Sequence, residues 1–170
     1  MRPSRDDWAL SLVAETAKRS TCLRRQVGCV LLNKRGHVLA TGYNGVAAGL
    51  KHCNQKTGSR TTFSGINIKN SRTQDFFDYA CPGAQSPSGT NLDGCQAIHA
   101  EANALLQCRD VYEIETCYVS ASPCIQCTKL LLNTGCRRIV FTEVYPHNSA
   151  SELWQSAGRE WSYQPKTVTI

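Results

Sequence analysis

The sequence has 170 residues, of which 41% are hydrophobic and 19% are charged, and these proportions exclude wholesale disorder. A chain of this length fits one domain and can bury a core without disulfides. We find no apolar run of about 18 residues and no secretory signal at its start, so we expect a cytoplasmic protein. The net charge of +6 suits an anionic partner, such as a nucleotide or nucleic acid, and equally suits a charge that only maintains solubility.

Ten cysteines are the unusual feature of the composition. In a secreted chain they would indicate a disulfide framework, whereas in an intracellular chain metal ligation is the expected use. Only Cys124 and Cys127 form a Cys-x-x-Cys pair. This pair is therefore the first place to look for a metal site.

The first quarter of the sequence predicts a helix followed by a hairpin. Helical spacing over 5–19 gives one face to five side chains, which are Trp8, Ala9, Leu12, Val13 and Thr16. A buried strand is predicted over 27–32, a turn over 33–36 with Gly36 free to adopt a positive φ, and a return strand over 37–42. The glycines within 42–45 then predict a loop.

Residues 46–95 are rich in Gly, Ser, Asn, Thr and Pro and have poor apolar periodicity. A loop of this length in a compact domain is usually functional or held in place by something. Cys53, Cys81 and Cys95 lie within this segment and favour a segment that is held in place over a flexible surface loop. We therefore predict a single domain over 1–170, with an insertion at about 46–95.

Regular periodicity returns after the insertion. The predicted elements are a helix over 97–109, a strand over 116–121, a helix over 123–133, a strand over 138–142, a short helix over 151–156 and a final strand over 167–170. Ser122 is the predicted N-cap of the middle helix, with Pro123 at its first position and Gly135 beyond its end. A hairpin followed by β-α-β units predicts an α/β fold, with a mixed sheet and helices on its faces.

Two short motifs carry the predicted chemistry. His99 and Glu101 begin one predicted helix, and Cys124 and Cys127 begin the next, with both thiolates on one face. One imidazole and two thiolates form a three-ligand zinc set, and a catalytic zinc keeps its fourth position open for water. Glu101 is placed to take a proton from that water and return it to a ring nitrogen and then to a leaving amine.

The combination of His-x-Glu with Pro-Cys-x-x-Cys is the signature of zinc-dependent nucleobase deaminases. The alternative is a structural zinc site in which Glu101 is an ordinary surface acid. A lone Cys-x-x-Cys would favour that alternative. The His-x-Glu motif, the intervening strand and the proline before the first cysteine favour a catalytic site instead.

The chain resembles the deoxycytidylate (dCMP) deaminases of the cytidine-deaminase superfamily. The matching segments are 22–30, 42–45, 98–104 and 120–127, in the family's order. The resemblance implies a single-domain α/β/α sandwich with a five-stranded mixed sheet, and hydrolysis of dCMP to dUMP and ammonia, which supplies dUMP for thymidylate synthesis. It also implies a homo-oligomer, usually a hexamer, that dCTP with Mg²⁺ activates and dTTP inhibits.

The resemblance also assigns individual residues. His99, Cys124 and Cys127 match the zinc ligands, Glu101 matches the acid/base, and Asn44 matches a substrate contact. Taken alone, Asn44 between glycines is equally an ordinary turn residue. The allosteric nucleotide is expected near a set of four residues, Gly42, Tyr43, Gly45 and Arg25.

Three further residues are candidates for nucleotide contacts. Tyr145 follows a predicted strand and is a candidate to stack on the pyrimidine or gate the pocket, or it simply caps the sheet edge. Arg24 and Arg25 can clamp a phosphate, although solvated loop arginines are the commoner case.

A second, structural zinc is expected from the remaining cysteines. Cys22 and Cys53 match positions that some relatives use as ligands, and Cys81 and Cys95 complete a four-cysteine set. His52 is a rival ligand. The other four cysteines lie in apolar contexts and are interpreted as buried small hydrophobic residues; they are Cys29, Cys108, Cys117 and Cys136.

Two other functions stay open at this point. The same zinc set serves tRNA adenosine deaminases and free-base deaminases, but 164–170 lack the basic C-terminal helix expected of a tRNA editor, and no nucleic-acid or membrane partner is expected. The other alternative is a non-catalytic zinc module that binds a partner. Unchanged function after substitution of Glu101 would favour it.

Overall fold

The computed structural model describes residues 1–56, 79–146 and 148–165. Its helices are α1 (Arg5–Ala17), α2 (Ala100–Gln107), α3 (Ile125–Leu132) and α4 (Asn148–Ser156), with a 3-10 turn at Val111–Glu113. Its strands are β1 (Gly28–Asn33), β2 (Val38–Tyr43), β3 (Gly45–Val46), β4 (Ala97–Ile98), β5 (Ile114–Ala121), β6 (Arg138–Glu143) and β7 (Glu160–Tyr163). No helix within these described ranges is long and apolar enough to cross a membrane.

The chain divides into two compact units. The first contains the described residues of Met1–Ser20, Gln26–Asn44 and His99–Ile170, and the second contains those of Thr21–Arg25 and Gly45–Ile98. The second unit corresponds closely to the predicted insertion. That these units form one domain stays a prediction.

A five-stranded mixed sheet organises the first unit, in the order β2-β1-β5-β6-β7. Strand β1 is antiparallel to both β2 and β5, and β5, β6 and β7 run parallel to one another. Helix α3 lies between β5 and β6 in the chain, and α4 lies between β6 and β7, as parallel neighbours require. The predicted hairpin, β-α-β order and mixed sheet are therefore confirmed.

Alternating side chains of the central strands fill two separate cores. On one face, Val30, Leu32, Tyr118 and Val140 pack with Ala9 and Val13 of α1. On the other face, the buried cluster includes Cys29, Leu31, Cys117, Val119, Ile139 and Phe141 of the sheet, with Ala104 of α2, Leu131 of α3 and Trp154 of α4. Helices thus cover both faces, because both sets of strand positions are apolar.

Over its described residues, the second unit contains a short antiparallel pair, β3 with β4, an isolated antiparallel bridge between Lys56 and Tyr79, and turns. The Arg24 guanidinium donates hydrogen bonds to the carbonyl oxygens of Pro87 and Thr90, at 3.3 and 2.7 Å. Cys53, Cys81 and Ala84 form a small buried cluster in this unit. Arg24 therefore stabilises the loop that it contacts.

Several predicted boundaries are wrong. The helix predicted over 97–109 begins at Ala100, because residues 97 and 98 pair with β3. The helix predicted over 123–133 begins at Ile125 with Cys124 as its N-cap. The hydroxyl of Ser122 does not cap it, because that oxygen accepts a 2.7 Å hydrogen bond from the Tyr145 N–H.

The C-terminal part also differs from the prediction. The strand predicted over 167–170 lies outside the described residues, and the sequence analysis overlooked β7 at Glu160–Tyr163. Trp8 was placed on the inner face of α1 but is 37% exposed, whereas Ala9 and Val13 are buried. Cys29, Cys117 and Cys136 are buried as expected, while Cys108 is only partly buried.

Candidate metal centre

The predicted ligands come from the beginnings of two helices. His99 is the N-cap of α2, and Glu101 is the second residue of that helix. Cys124 is the N-cap of α3, and Cys127 lies in its first turn. Strand β5 ends at Ala121, three residues before Cys124, so the sheet determines where α3 begins. Helix N-termini carry unpaired N–H groups and a partial positive charge, both of which favour thiolates.

The three predicted ligand atoms lie close together. The Nδ1 atom of His99 is 3.4 Å from the Sγ atom of Cys124 and 3.4 Å from the Sγ atom of Cys127. Tetrahedral zinc with bonds of about 2.3 Å to sulfur and about 2.0 Å to nitrogen separates such atoms by about 3.5 Å. The residues present therefore fit a zinc ion.

Among the residues that the structure describes, this is the one group of three or more potential ligands whose ligand atoms all lie within 4.8 Å of one another. Cys127 is buried, Cys124 is partly buried and His99 is exposed. A site built on three protein ligands with an exposed member leaves room for a fourth, exchangeable ligand, which is the arrangement of a catalytic zinc.

The thiols of Cys124 and Cys127 have pKa values that are shifted in opposite directions. A hydrogen bond from Cys127, together with one from His99, lowers the pKa of Cys124 to about 3 despite its burial. The same hydrogen bond, in which Cys127 is the donor, raises the pKa of Cys127, and burial raises it further. Metal binding requires both sulfurs to be deprotonated, so zinc would release the remaining proton of this pair.

Glu101 is a carboxylate with little access to water, since only 4% of the residue is exposed. Burial raises the pKa of Glu101, and hydrogen bonding from its own backbone N–H and the charge of His99 only partly oppose this. The Cys127 side chain also hydrogen-bonds to the carboxylate. A carboxyl group with a raised pKa beside the ligand set is suited to accept and return protons.

Asn44 is buried and holds the end of β2 in place. Its Oδ1 atom accepts a 2.8 Å hydrogen bond from the Val27 N–H, and its backbone N–H donates to the Val27 carbonyl. Its own carbonyl accepts a 2.7 Å bond from the Ser20 hydroxyl. Side-chain and backbone atoms of Asn44 are thus both bonded to neighbouring backbone and side-chain groups of the first unit.

Tyr145 is tied to the segment that precedes the Cys-x-x-Cys pair. Its N–H donates to the hydroxyl of Ser122, which is itself buried. The loop after β6 is therefore attached to the same short connection that leads from β5 to Cys124. Ser122 was predicted to be an N-cap, and the sequence around it has no signal for this hydrogen bond to Tyr145.

Asn103 is a second residue that the sequence analysis overlooked. Its Nδ2 atom donates a 2.8 Å hydrogen bond to the carbonyl oxygen of Tyr43, which links α2 to the end of β2. The signal was present, because Asn103 lies inside the matching segment 98–104. It keeps the helix that carries Glu101 against the strand that leads to Asn44.

The four residues predicted to lie near the allosteric nucleotide include Gly42, which packs against helix α2. Gly42 belongs to β2, where a Cβ atom would overlap the backbone of Ala100 and Ala104 in α2. Tyr43 is exposed and ends β2, while Gly45 and Arg25 belong to the second unit. The lack of a side chain at Gly42 is therefore explained by close packing against α2.

The four cysteines of the predicted second zinc all belong to the second unit. Burial raises the pKa of Cys53 to about 12, with further contributions from Cys81, Cys22 and Cys95. Burial also raises the pKa of Cys95, but hydrogen bonds from the Ala97 backbone and Arg24 outweigh it, so the net shift is downward.

These cysteines are neighbours, but no three of their Sγ atoms all lie within 4.8 Å of one another, whereas the ligand atoms of His99, Cys124 and Cys127 do. The Gln96 N–H lies 3.5 Å from the Sγ atom of Cys81 and donates to it. The rival ligand His52 is exposed, and its backbone N–H donates to the side chain of Gln55.

Comparison with known proteins agrees with this geometry. Residues 3–143 match the family described as "Cytidine and deoxycytidylate deaminase zinc-binding region". A deoxycytidylate deaminase of Mycobacterium phage D29 is 37% identical over 141 residues, which are 82% of this chain and 95% of that protein. Deoxycytidylate deaminases of Saccharomyces cerevisiae and Schizosaccharomyces pombe are 32% and 33% identical over 100% and 92% of this chain.

The chain spans about half the length of the two fungal relatives, 49% and 43% respectively. Among solved structures, a dCMP deaminase from the cyanophage S-TIM5, in complex with dCMP and dUMP, matches with a TM-score of 0.67 at 20% identity. That match covers 96% of this chain and 99% of the other and shows a shared fold. From the extent of the family match and the identity to the phage relative, the chain belongs to the cytidine and deoxycytidylate deaminase zinc-binding family.

Proposed function

We propose that this chain catalyses the hydrolytic deamination of dCMP to dUMP with release of ammonia. The observation that carries the proposal is the convergence of His99, Cys124 and Cys127 beside the buried carboxylate of Glu101. The relatives at 32–37% identity are deoxycytidylate deaminases, and they support dCMP over other substrates of this chemistry.

His99, Cys124 and Cys127 would hold the zinc ion, and zinc in such a site supplies an activated water as the nucleophile. Glu101 accepts a proton from that water and delivers it to N3 of cytosine as C4 is attacked. Glu101 then transfers the second water proton to the exocyclic amine, which leaves as ammonia, and the carboxylate is regenerated. Its raised pKa suits both directions of transfer.

Asn44 and Tyr145 are the proposed substrate contacts. The side-chain amide of Asn44 would contact a base or sugar hydroxyl of the nucleotide, toward which an amide can both donate and accept hydrogen bonds. The ring of Tyr145 would stack on or gate the pyrimidine, and the bond to Ser122 supports this by holding its backbone near the Cys-x-x-Cys segment.

The substrate is tested by measuring ammonia release from dCMP, CMP, deoxycytidine, cytosine and a tRNA carrying a target adenosine. We expect release from dCMP to exceed the others in kcat/KM. Preference for cytosine or for the tRNA would contradict the proposed substrate and leave the zinc chemistry intact. No release from any of them by zinc-loaded protein would favour the non-catalytic zinc module.

Regulation and assembly are proposed on the resemblance. We infer that dCTP with Mg²⁺ activates the enzyme, that dTTP inhibits it, and that the chain forms a homohexamer. The proposed effector site uses Gly42, Tyr43, Gly45 and Arg25, although packing against α2 already accounts for Gly42. Ammonia release measured with and without each nucleotide, beside the mass in solution, tests these points. An unregulated dimer would contradict both.

We also propose a structural zinc held by Cys22, Cys53, Cys81 and Cys95. Their mutual influence on the pKa of Cys53 and the Gln96 N–H bond to Cys81 support it, since backbone donors commonly support ligating sulfurs. We expect two zinc ions per chain, and one after Cys53→Ser. The control is Cys108→Ser, which leaves both. One zinc in the parent protein would contradict the second site.

A further inference from the structure

A basic cavity lies in the first unit, away from the candidate metal centre. Its volume is about 640 Å³, and its lining includes Arg2, Arg5, Trp8, Arg35, Gly36 and His37. The residues come from the start of α1 and from the turn between β1 and β2. Small-molecule sites typically measure about 300–1,000 Å³, so this cavity has the size of one.

The lining of the cavity is positively charged. No carboxylate lines it, and in the described part of the chain none of Arg2, Arg5 and Arg35 forms an ion pair. Of the two acids in the first turn of α1, Asp6 is paired with Arg138. The Asp7 carboxylate accepts a 2.6 Å hydrogen bond from the hydroxyl of Ser4, which also lines the cavity, so one negative charge lies beside the arginines. Three guanidinium groups that form no ion pair with a described residue outnumber this one acid and favour a ligand that carries several negative charges.

The turn is shaped to admit one of these arginines. Gly36 has a φ of 86°, and a Cβ atom there would lie 2.9 Å from the Nε atom of Arg5. The side chain of Arg5 therefore lies over the turn in space that any other residue at position 36 would fill. Its Nη1 atom also contacts the Lys34 carbonyl oxygen at 3.4 Å, which holds the guanidinium beside the turn that carries Arg35.

An aromatic ring completes the lining. Trp8 is 37% exposed, while its neighbour Ala9 is fully buried in the core. The wall of the cavity thus combines an accessible indole with guanidinium groups. Exposed aromatic rings beside arginines provide stacking surfaces for nucleobases, because every base has a π face.

The cavity and the candidate metal centre lie near opposite ends of strand β5. Asn33, at the turn, pairs with Ile114 at the start of β5, whereas Cys124 follows the other end of that strand. An eight-residue strand spans about 26 Å. The proposed effector loop is also distant, because Tyr43 pairs with Gly28 at the far end of the hairpin.

We propose that this cavity binds a nucleoside polyphosphate, with its phosphates on Arg2, Arg5 and Arg35 and its base on Trp8. The favoured ligand is a free nucleotide over a nucleic-acid strand, because the basic residues of the sequence form doublets without a long stripe. The cavity holds one stacking ring and one cluster of cations, which matches the single base and clustered charge of such a nucleotide.

The test is titration of the zinc-loaded protein with ATP, inorganic tripolyphosphate and a ten-nucleotide single strand, by calorimetry and tryptophan fluorescence. We expect saturable ATP binding that quenches fluorescence and weakens as salt is raised. The double variant Arg5→Ala/Arg35→Ala should bind ATP at least tenfold more weakly. Trp8→Ala should lower ATP affinity to that of tripolyphosphate. Arg109→Ala, an exposed arginine outside the cavity, is the matched control and should bind normally.

Three results would overturn the proposal. They are no ATP binding at millimolar concentration in low salt, ATP binding that the arginine variant leaves unchanged, and a single strand that binds more tightly than ATP. If the double variant does not fold, Arg35→Glu alone gives the same comparison, because the Arg35 side chain is exposed on a turn. None of these readouts depends on deaminase activity, so they are independent of the proposed reaction.

Discussion

Glu101→Gln should abolish most ammonia release from dCMP while leaving the ligand set intact. The amide matches the carboxylate in size but cannot accept and return a proton. Bulk water is a poor substitute, because only 4% of the residue is exposed. Proton transfer by a positioned side chain typically contributes about 10²–10⁴-fold to the rate, which corresponds to about 2.7–5.5 kcal/mol of barrier.

This loss should appear in kcat more than in KM, because the substituted group acts in the transition state and not in ground-state binding. The assay is ammonia release at saturating dCMP, with zinc content measured on the same sample. Zinc should remain bound, since His99, Cys124 and Cys127 are unchanged. Glu113→Gln makes the same chemical change at an exposed position in the turn before β5 and should leave kcat unaltered.

A kcat within tenfold of the parent, in a Glu101→Gln protein that holds its full zinc, would refute the acid/base assignment. Loss of zinc together with activity would instead mean that the carboxylate supports the ligands. The two results are distinguishable because metal content and turnover are measured separately.

Three further predictions concern the metal, the packing and the pH dependence. A chelator or Cys124→Ser should abolish activity, and added zinc should restore activity only to the chelated parent. Gly42→Ala should lower the free energy of unfolding by about 1–3 kcal/mol in a denaturant titration, because the new methyl group overpacks the contact with α2. Burial raises the pKa of Asp6, but hydrogen bonds from Arg138, Tyr118 and Gln164 outweigh this effect, so the net pKa is lowered. The ionised Asp6 carboxylate therefore stabilises the fold above its unfolded pKa of about 3.9. This stabilisation is lost as the pH falls towards the folded pKa. Arg138→Met should reduce that acid-induced loss in thermal melts between pH 5 and about pH 2.

The order of the main elements and the clustering of His99, Cys124 and Cys127 could be predicted because their signals are local. Apolar periodicity marks β1 and α1, and Gly36 marks the turn with the positive φ that was expected. The ligands His99, Cys124 and Cys127 were predicted together because the residue types and the short spacings specify zinc chemistry. The structure places these three ligand atoms within 4.8 Å of one another.

The errors arise where tertiary contacts override local rules. Ser122 before Pro123 has the chemistry of an N-cap, but its hydroxyl is engaged by Tyr145, 23 residues away. Strand β7 is only four residues long, and it is stabilised by contacts such as that of Trp161 with Phe141, whose ring centroids lie 5.3 Å apart. Neither contact has a signature in the neighbouring sequence.

Two glycines explain how the helices approach the sheet closely enough to position the Glu101 carboxylate. A Cβ atom at Gly28 of β1 would overlap the backbone of α1, and one at Gly42 of β2 would overlap the backbone of α2. These residues lie one register position apart, since Gly42 pairs with Cys29. Close contact at Gly42 and the hydrogen bond from Asn103 to the carbonyl of Tyr43 hold α2 at two points. Because Glu101 is the second residue of α2, this backbone contact determines where its carboxylate lies. The Gly42→Ala variant should therefore release ammonia from dCMP more slowly than its fraction of folded protein alone would explain.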